Sequence, residues 1–542
     1  MTTLLTFVLF TAAVAFLTWW ITRGKGTDTE DGFFLAGRSL TGLVIAGSLL
    51  LTNLSTEQLV GLNGGSFKEG LSVMAWEVVA GISLVVLALF FLPRYLKSGI
   101  ATIPQFLEER YGAGVRALTT GVFIVAYMFI LLPFVLYSAA KALSSMLNLP
   151  EALGMSQFGT IWAIVAFVAI IGSGYAIFGG LRAVAVSDTF NGLGLLIGGF
   201  LITYFTLSHV AGDGTLLSAF GKISEVNPDA FNSIGREGED INGWAPLFTG
   251  VLLLNFFYWC TNQQIIQRTF GAKNLAEGQK GVLLAAFFKI LAPLILVVPG
   301  IAAFYIANSD EAFRATLVND AGEVDSNSVY GSLVRLVLPA PLTGFFAAVV
   351  MGSILSTFNS VLNSSATLFS LGVYKKAINP GASHKQVVRS GQVCSAVVAL
   401  LSAIAAPLVF DGKDGIFAFF QSLNAVYFIP LLAIILVGMF TKWADGNSAI
   451  ITAVIGLLIM IWGTFFGGDI VTKTFGSGYH FMGAVFVGLV GLQLILGQFM
   501  RRKEAYVQID AQVVDLTPWK PAPLVGGIMV VSVIVLYLVL AG

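Results

Sequence analysis

Apolar runs of about 20 residues recur along this 542-residue chain, and they constrain its fold more than any other feature of the sequence. A helix of that length crosses the hydrocarbon of a bilayer while satisfying its own backbone N–H and C=O groups. Fourteen such runs, spans one to fourteen, lie at residues 3–22, 41–62, 71–93, 117–147, 157–178, 184–211, 246–267, 281–307, 333–372, 389–408, 416–440, 447–468, 479–500 and 522–541. Only 11% of residues are charged, against roughly 25% in soluble domains. The chain therefore reads as an all-α polytopic membrane protein. Its formal charge is zero and it has no basic block, which argues against a nucleic-acid partner. Cys260 and Cys394 sit in apolar segments and read as packed thiols. His209, His384 and His480 are scattered without ligand spacing. No nucleophile–base pair or metal set appears, so the sequence does not read as an enzyme.

Loops after the odd-numbered spans hold 20 of the 29 lysines and arginines, among them Arg23, Lys25, Arg182 and Arg268. Eight lie on the opposite side and Lys289 lies inside span eight. Basic loops face the cytoplasm, so both termini are expected outside a plasma (inner) membrane crossed many times. The first run lacks a basic leader and a small-residue cleavage site and reads as a retained span. The polar segments 212–245 and 308–332 read as outer loops with a short helix each. Segment 504–521 is cytoplasmic, with strand-like alternation.

Two of the runs are interrupted. In "SLLLTNLSTEQLVG", residues 48–61, Thr52, Asn53, Ser55, Thr56, Glu57 and Gln58 fall within seven positions of span two. In "GVLLLNFFYWCTNQQIIQR", residues 250–268, Asn255, Thr261, Asn262, Gln263 and Gln264 break span seven. Irregular backbone at membrane depth is tolerated only inside protein or beside a cavity. Paired interruptions in corresponding halves point to an inverted-repeat transporter. The breaks are five spans apart, so spans two to six and seven to eleven form two halves. An odd number of helices per half gives them opposite orientations. The expected organisation is a peripheral first helix and cytoplasmic loop (1–40), a first repeat (41–211), an outer loop (212–245), a second repeat (246–441) and three additional helices (442–542). A broken helix offers bare carbonyls to a cation and bare N–H groups to a hydroxyl or anion. The plainer reading is that Asn53 and Asn255 only tie packed helices together.

Span nine carries "GSILSTFNSVLNSSAT". With 3.6 residues per turn, Ser356, Thr357, Ser360, Ser364 and Thr367 all point in nearly the direction of Ser353, so one face of the helix is a stripe of hydroxyls. Asn359 lies off this stripe. Oxygen ligands of this kind suit a small hard cation, and a seam of small residues between helices is the alternative. Ionisable groups inside spans are functional candidates. Lys289 lies roughly 13 Å from the cytoplasmic edge at 1.5 Å per residue, near the midplane. With Glu77 it could bracket a polyhydroxy solute, one donating and one accepting, or the two could form an internal ion pair. Glu57 follows the first break and reads as structural. Asp188 opens span six and either serves an ion or pairs with Arg182.

The segments "FFLAGRSL", "NLSTEQLVG", "GIATIPQFLEERY", "YAIFGGLRAVAVSD", "FYWCTNQQIIQRTFGAK", "GQKG" and "STFNSVLNSSATLFS" together resemble the solute:sodium symporter family. Within it they are most similar to the sodium/glucose cotransporter branch with its bacterial sodium/galactose symporters. The resemblance spans about residues 30 to 445. It implies a leucine-transporter-type 5+5 inverted repeat with flanking helices, and sodium-coupled uptake of a sugar. It also implies a sodium site at the carbonyls of Leu51, Leu54 and Ser353 and the hydroxyls of Ser356 and Thr357. The implied sugar site is Asn53, Gln58, Glu77, Asn255 and Lys289, with Tyr258 and Trp259 as inner gate. Asn424 stands for a span-eleven glutamine, in a segment with an apparent deletion. Trp76 replaces a tyrosine, Ala80 a serine and Leu131 an asparagine. A second sodium, as in some relatives, would use Asp188, Asn359 and Ser360. The scaffold also serves amino acids, nucleosides, sialic acid and carboxylates, and a sensor or passive channel is the rival of another class.

Overall fold

The structure is a computed structural model that describes residues 2–22, 30–236, 239, 241, 243–318, 322–413 and 415–541. Arg23 and Lys25 lie outside the described residues, as does the side chain of Arg182. Every expected span is helical. Among the described residues ten helices are long and apolar enough to cross a membrane, and an eleventh if span eight, bent by 45° between Leu275–Leu291 and Pro293–Ser309, is one crossing. The remaining three runs form shorter apolar helices, Leu5–Ile21, Gly42–Asn53 and Leu247–Cys260. The last two are the spans whose sequences carry the interruptions. Among the described residues there is no strand, only isolated bridges.

Several boundaries differ from expectation. Spans five and six run on as one helical stretch, Gln157–Ala211, in spite of Gly179, Gly180 and Arg182 between them. Its second part packs antiparallel to span nine, with Asn191 against Gly352, Gly194 against Val349 and Gly198 against Phe346. Continued straight in that register, the helix would bring Gly172 level with about residue 371. Gly172 instead abuts Phe358, so the helix doubles back between its two membrane-grade parts. Span nine starts at Ala340, since Pro339 and Pro341 cannot extend the preceding helix Val329–Val337. The loop helices Leu216–Val226 and Glu311–Ala315 are present.

Segment 504–521 is extended but forms no strand. Its donors and acceptors serve separate loops: the Tyr506 N–H donates to the Lys442 carbonyl and the Ala511 N–H to the Lys97 carbonyl, and the Asp515 carbonyl accepts from the Leu275 N–H. Loops three, seven, eleven and thirteen thus meet on one face, as their shared basic character requires. Arg110, fully buried, adds hydrogen bonds to the carbonyls of Gly438, Thr441 and Ala444 at 2.7–3.0 Å.

Burial follows position in the bundle. Spans nine and eleven are enclosed nearly all round. Leu400, Leu408, Leu458, Val487, Leu524 and Val539 on the outer helices are exposed, as lipid-facing residues are. Short π turns interrupt spans three, four and seven at Leu87–Phe91, Tyr127–Leu131 and Leu247–Val251. The turn in span four precedes Pro133, whose missing N–H would leave a ladder carbonyl bare.

Candidate functional site

Span two ends its first helix at Asn53. The chain turns through Leu54 (φ −72°, ψ 63°) and Ser55 (φ −111°, ψ −175°) before the second helix starts at Thr56. The donors that would continue the ladder go elsewhere: the Ser55 N–H to the Asn53 carbonyl at 2.7 Å, the Gln58 N–H to the Ser55 carbonyl at 3.0 Å. In an unbroken helix these two N–H groups would serve the carbonyls of Leu51 and Leu54. The break thus strips those oxygens of their ladder donors.

Span nine lies against this turn. Thr357 Oγ1 donates to the Thr52 carbonyl at 3.2 Å, and the Thr56 and Ser353 hydroxyl oxygens are 3.5 Å apart. Leu51, Leu54, Ser353, Ser356 and Thr357 are at most 3% exposed. The Ser356 hydroxyl stands beside Asp188, and neither it nor Asp188 Oδ1 completes a hydrogen bond of normal geometry. Buried oxygens left without donors cost free energy unless something satisfies them. A hard cation fits a set made only of carbonyl and hydroxyl oxygens.

Arg268 is the residue here that the sequence reading missed. Grouped with the cytoplasmic loop, it is in fact 1% exposed. It donates to Ser48 Oγ at 2.7 Å, to Ser360 Oγ and to the Gln264 carbonyl. Asp188 Oδ2 accepts from Ser48 Oγ at 2.7 Å, so among the described side chains the cation across from Asp188 is Arg268, through Ser48. The signal in the sequence was its place one helical turn after Gln264. Ser360 also donates to the Ser356 carbonyl at 2.7 Å. Asn359 is buried with its Oδ1 unpartnered.

The second break falls at Thr261 (φ −139°, ψ −13°) and Asn262 (φ −72°, ψ 119°), whose N–H groups both donate to the Phe257 carbonyl at 2.9 Å. Its amides largely knit helices. Gln263 bridges Ala101 and Ile103, and Gln267 holds Thr367, Ser364 and the Phe34 carbonyl.

Between the two breaks lies a central cavity lined by Asn53, Glu57, Gln58, Trp76, Glu77, Leu131, Asn255, Tyr258, Trp259 and Gln421, among others. It encloses about 30 Å³, room for little more than a water, whereas ligand pockets run to roughly 300–1,000 Å³. The walls are therefore drawn together. Asn53 Oδ1 and Gln58 Oε1 are buried without partners. Lys289, fully buried, donates to Glu77 and sits 5.3 Å from the Trp259 ring centre, behind the wall. Glu57 accepts from the Ser55 hydroxyl and opens the second half-helix, so it both shapes the turn and reaches the cavity.

Asn424 does not line the cavity. Its amide donates to Gln421 at 3.1 Å and accepts from Tyr427 at 3.3 Å. The span-eleven amide on the wall is Gln421, one turn earlier and one methylene longer. Ala80 is buried away from the cavity, whereas Trp76 and Leu131 are on it.

A profile of the Sodium:solute symporter family matches residues 33–456. Over 520 residues the chain is 42% identical to the uncharacterized symporter YidK of Escherichia coli K12, covering 95% of this chain and 87% of that one. It is 32% identical over 466 residues to the sodium/glucose cotransporter of Vibrio parahaemolyticus, 83% of each. Its fold is shared by a Na⁺-coupled sialic acid symporter solved in a substrate-bound outward-open state, with a TM-score of 0.76 at 18% identity over 94% of this chain and 99% of that one. The broken spans, the enclosed bundle and these matches agree: the chain belongs to the sodium:solute symporter family, on its sodium/glucose side, and is a sodium-using membrane transporter, not an enzyme.

Proposed function

We propose that this protein carries a sugar-type solute, a hexose or related polyol, into the cell together with sodium by alternating access. The observation that supports this reading best is the make-up of the central cavity. A buried acid–base pair, Glu77 on the wall and Lys289 behind it, joins the amides of Asn53, Gln58, Asn255 and Gln421 and the rings of Tyr258 and Trp259. Such a set both donates to and accepts from hydroxyls and offers aromatic faces to a pyranose ring. The Vibrio relative, a sodium/glucose cotransporter, supports the same solute class.

In this reading sodium sits between spans two and nine, on the carbonyls of Leu51, Leu54 and Ser353 and the hydroxyls of Ser356 and Thr357. A second sodium would use Asp188, Asn359 and Ser360, in competition with Arg268. Sodium holds the break of span two in the form that presents Asn53 and Gln58 to the solute. Coupling follows because the ion binds that solute-competent state more tightly than the other. Tyr258 then moves aside and both ligands leave inward. The repeats are 41–211 and 246–441, in a plasma (inner) membrane with both termini outside.

Uptake into proteoliposomes under an imposed sodium gradient, against labelled hexoses and related sugars, tests the proposal. Accumulation of at least one sugar that collapses when sodium is equalised is expected. Accumulation of an amino acid, nucleoside, sialic acid or carboxylate that no sugar competes with would overturn the solute class. Accumulation without sodium would overturn the coupling.

A further inference from the structure

Spans twelve to fourteen lie outside the two repeats, yet span thirteen reaches the solute path at its outer end. Tyr479, in the first turn of Gly478–Phe499, sets its ring 6.2 Å from that of Trp76 on span three. Trp76 in turn meets Phe417, at the start of span eleven, edge to face at 5.6 Å and 80°. Trp76 and Phe417 line both the central cavity and an outer cavity of about 290 Å³, so they are the partition between the two. Tyr479 lines only the outer side, bordering that cavity and a larger one of about 760 Å³.

The seat of Tyr479 is cut into span seven. Gly250 precedes the half-helix that carries Asn255 and Tyr258, and a Cβ there would fall 2.4 Å from the Tyr479 ring. Two neighbouring contacts hold the same helix ends together. His480 Nδ1 and Thr249 Oγ1 are 3.0 Å apart, and Gly483 packs directly on Thr249. The accessory helix is thus keyed to the outer part of broken span seven and gives Trp76 its outer face.

We infer that Tyr479 is the third ring of the outer gate, through which span thirteen ties the closure of Trp76 over the cavity to the position of span seven. The inference rests on reading the central cavity as the solute site. With Tyr479 in place, Trp76 is held between two rings and the partition stays shut. Without it, Trp76 loses its outer ring and swings out towards the outer cavity that it already borders.

The test uses a reporter cysteine at Leu131, on the cavity wall, in full-length protein carrying Cys260→Ser and Cys394→Ser. Its labelling rate by a membrane-impermeant maleimide applied from outside is measured in cells. Tyr479→Ala is expected to raise the rate about three- to tenfold, the shift that one aromatic pair supports. Tyr479→Phe, which keeps the ring, should stay within about twofold of the parent, since the contact is ring to ring. Gly250→Ala evicts the ring and should behave like Tyr479→Ala; if Tyr479→Ala does not reach the membrane, Tyr479→Leu takes its place. Unchanged labelling in folded Tyr479→Ala or Tyr479→Leu overturns the inference, as does a rise in Tyr479→Phe equal to that in Tyr479→Ala. Labelling reads the gate whatever the solute. A protein that accumulates no sugar but shows the expected labelling loses the sugar reading and keeps the gate.

Discussion

Replacing Lys289 with methionine leaves the Glu77 carboxylate alone in a dry place. The two side chains are 0% and 1% exposed and bonded to each other. Breaking such a pair from one side costs about 3–5 kcal/mol, while replacing both partners with neutral groups of similar size is near neutral. Lys289→Met and Glu77→Gln are each expected to destabilise by that amount, and the double variant to regain most of it. The contact of Lys289 with the Trp259 ring, worth roughly 0.5–2 kcal/mol, is not regained. A double-mutant cycle on the purified protein, read by denaturant unfolding, should therefore give a coupling of about 3 kcal/mol or more. All three variants should lose solute uptake, the double variant while well folded. Additive losses of stability would refute the buried-pair argument. A double variant that transports with the parent's apparent affinity would remove the pair from the solute site.

Gln421→Ala should raise the half-saturating solute concentration about five- to tenfold, the worth of roughly 1–1.5 kcal/mol for one hydrogen bond. Asn424→Ala should instead lower stability with little change in that constant, as uptake titrations and unfolding on the same samples would show. Away from the cavity, Glu108 accepts from Lys376 at 2.6 Å and also from Arg116. Partial burial pushes its carboxyl up, but the hydrogen bonds and charges of Lys376 and Arg116 outweigh that and hold it below its usual value. A carboxyl so depressed contributes stability that is fully present above the ordinary range, ~4.3, and is lost as pH falls through the lowered value. The stability gap between Glu108→Gln and the parent should therefore be constant from neutral pH to about pH 5 and close only in stronger acid; a gap that closes near pH 7 would contradict it.

The apolar periodicity located every span, and the two polar clusters located both breaks to within a residue or two, because a membrane leaves few alternatives for backbone without partners. The hydroxyl stripe also translated directly: Thr357 and Ser353 do face span two. What was illegible has specific causes. Asn424 and Gln421 are three residues apart on one helix face, so periodicity alone could not choose between them. Arg268 looked like a loop cation because its neighbours Lys273 and Lys280 are loop or edge residues. Only the packing of spans two, seven and nine shows that Ser48 and Ser360 bury it. The separation of spans five and six was legible from Gly179, Gly180 and Arg182 between them, but not that the chain stays helical there. The alternation in 504–521 reflects a strap with one side on the protein, not a strand with a partner.

The central claim is that the turn at Leu54 and Ser55, facing Thr357 and Ser356, holds sodium. Calorimetric titration of the purified protein with sodium chloride, choline replacing sodium and no solute present, tests it most directly. The account predicts saturable sodium binding in the parent. It also predicts a dissociation constant at least about tenfold higher in Thr357→Ala and Ser356→Ala, as loss of one oxygen ligand to a charge implies. Sodium binding of unchanged strength in both variants, with the fold intact, would contradict it.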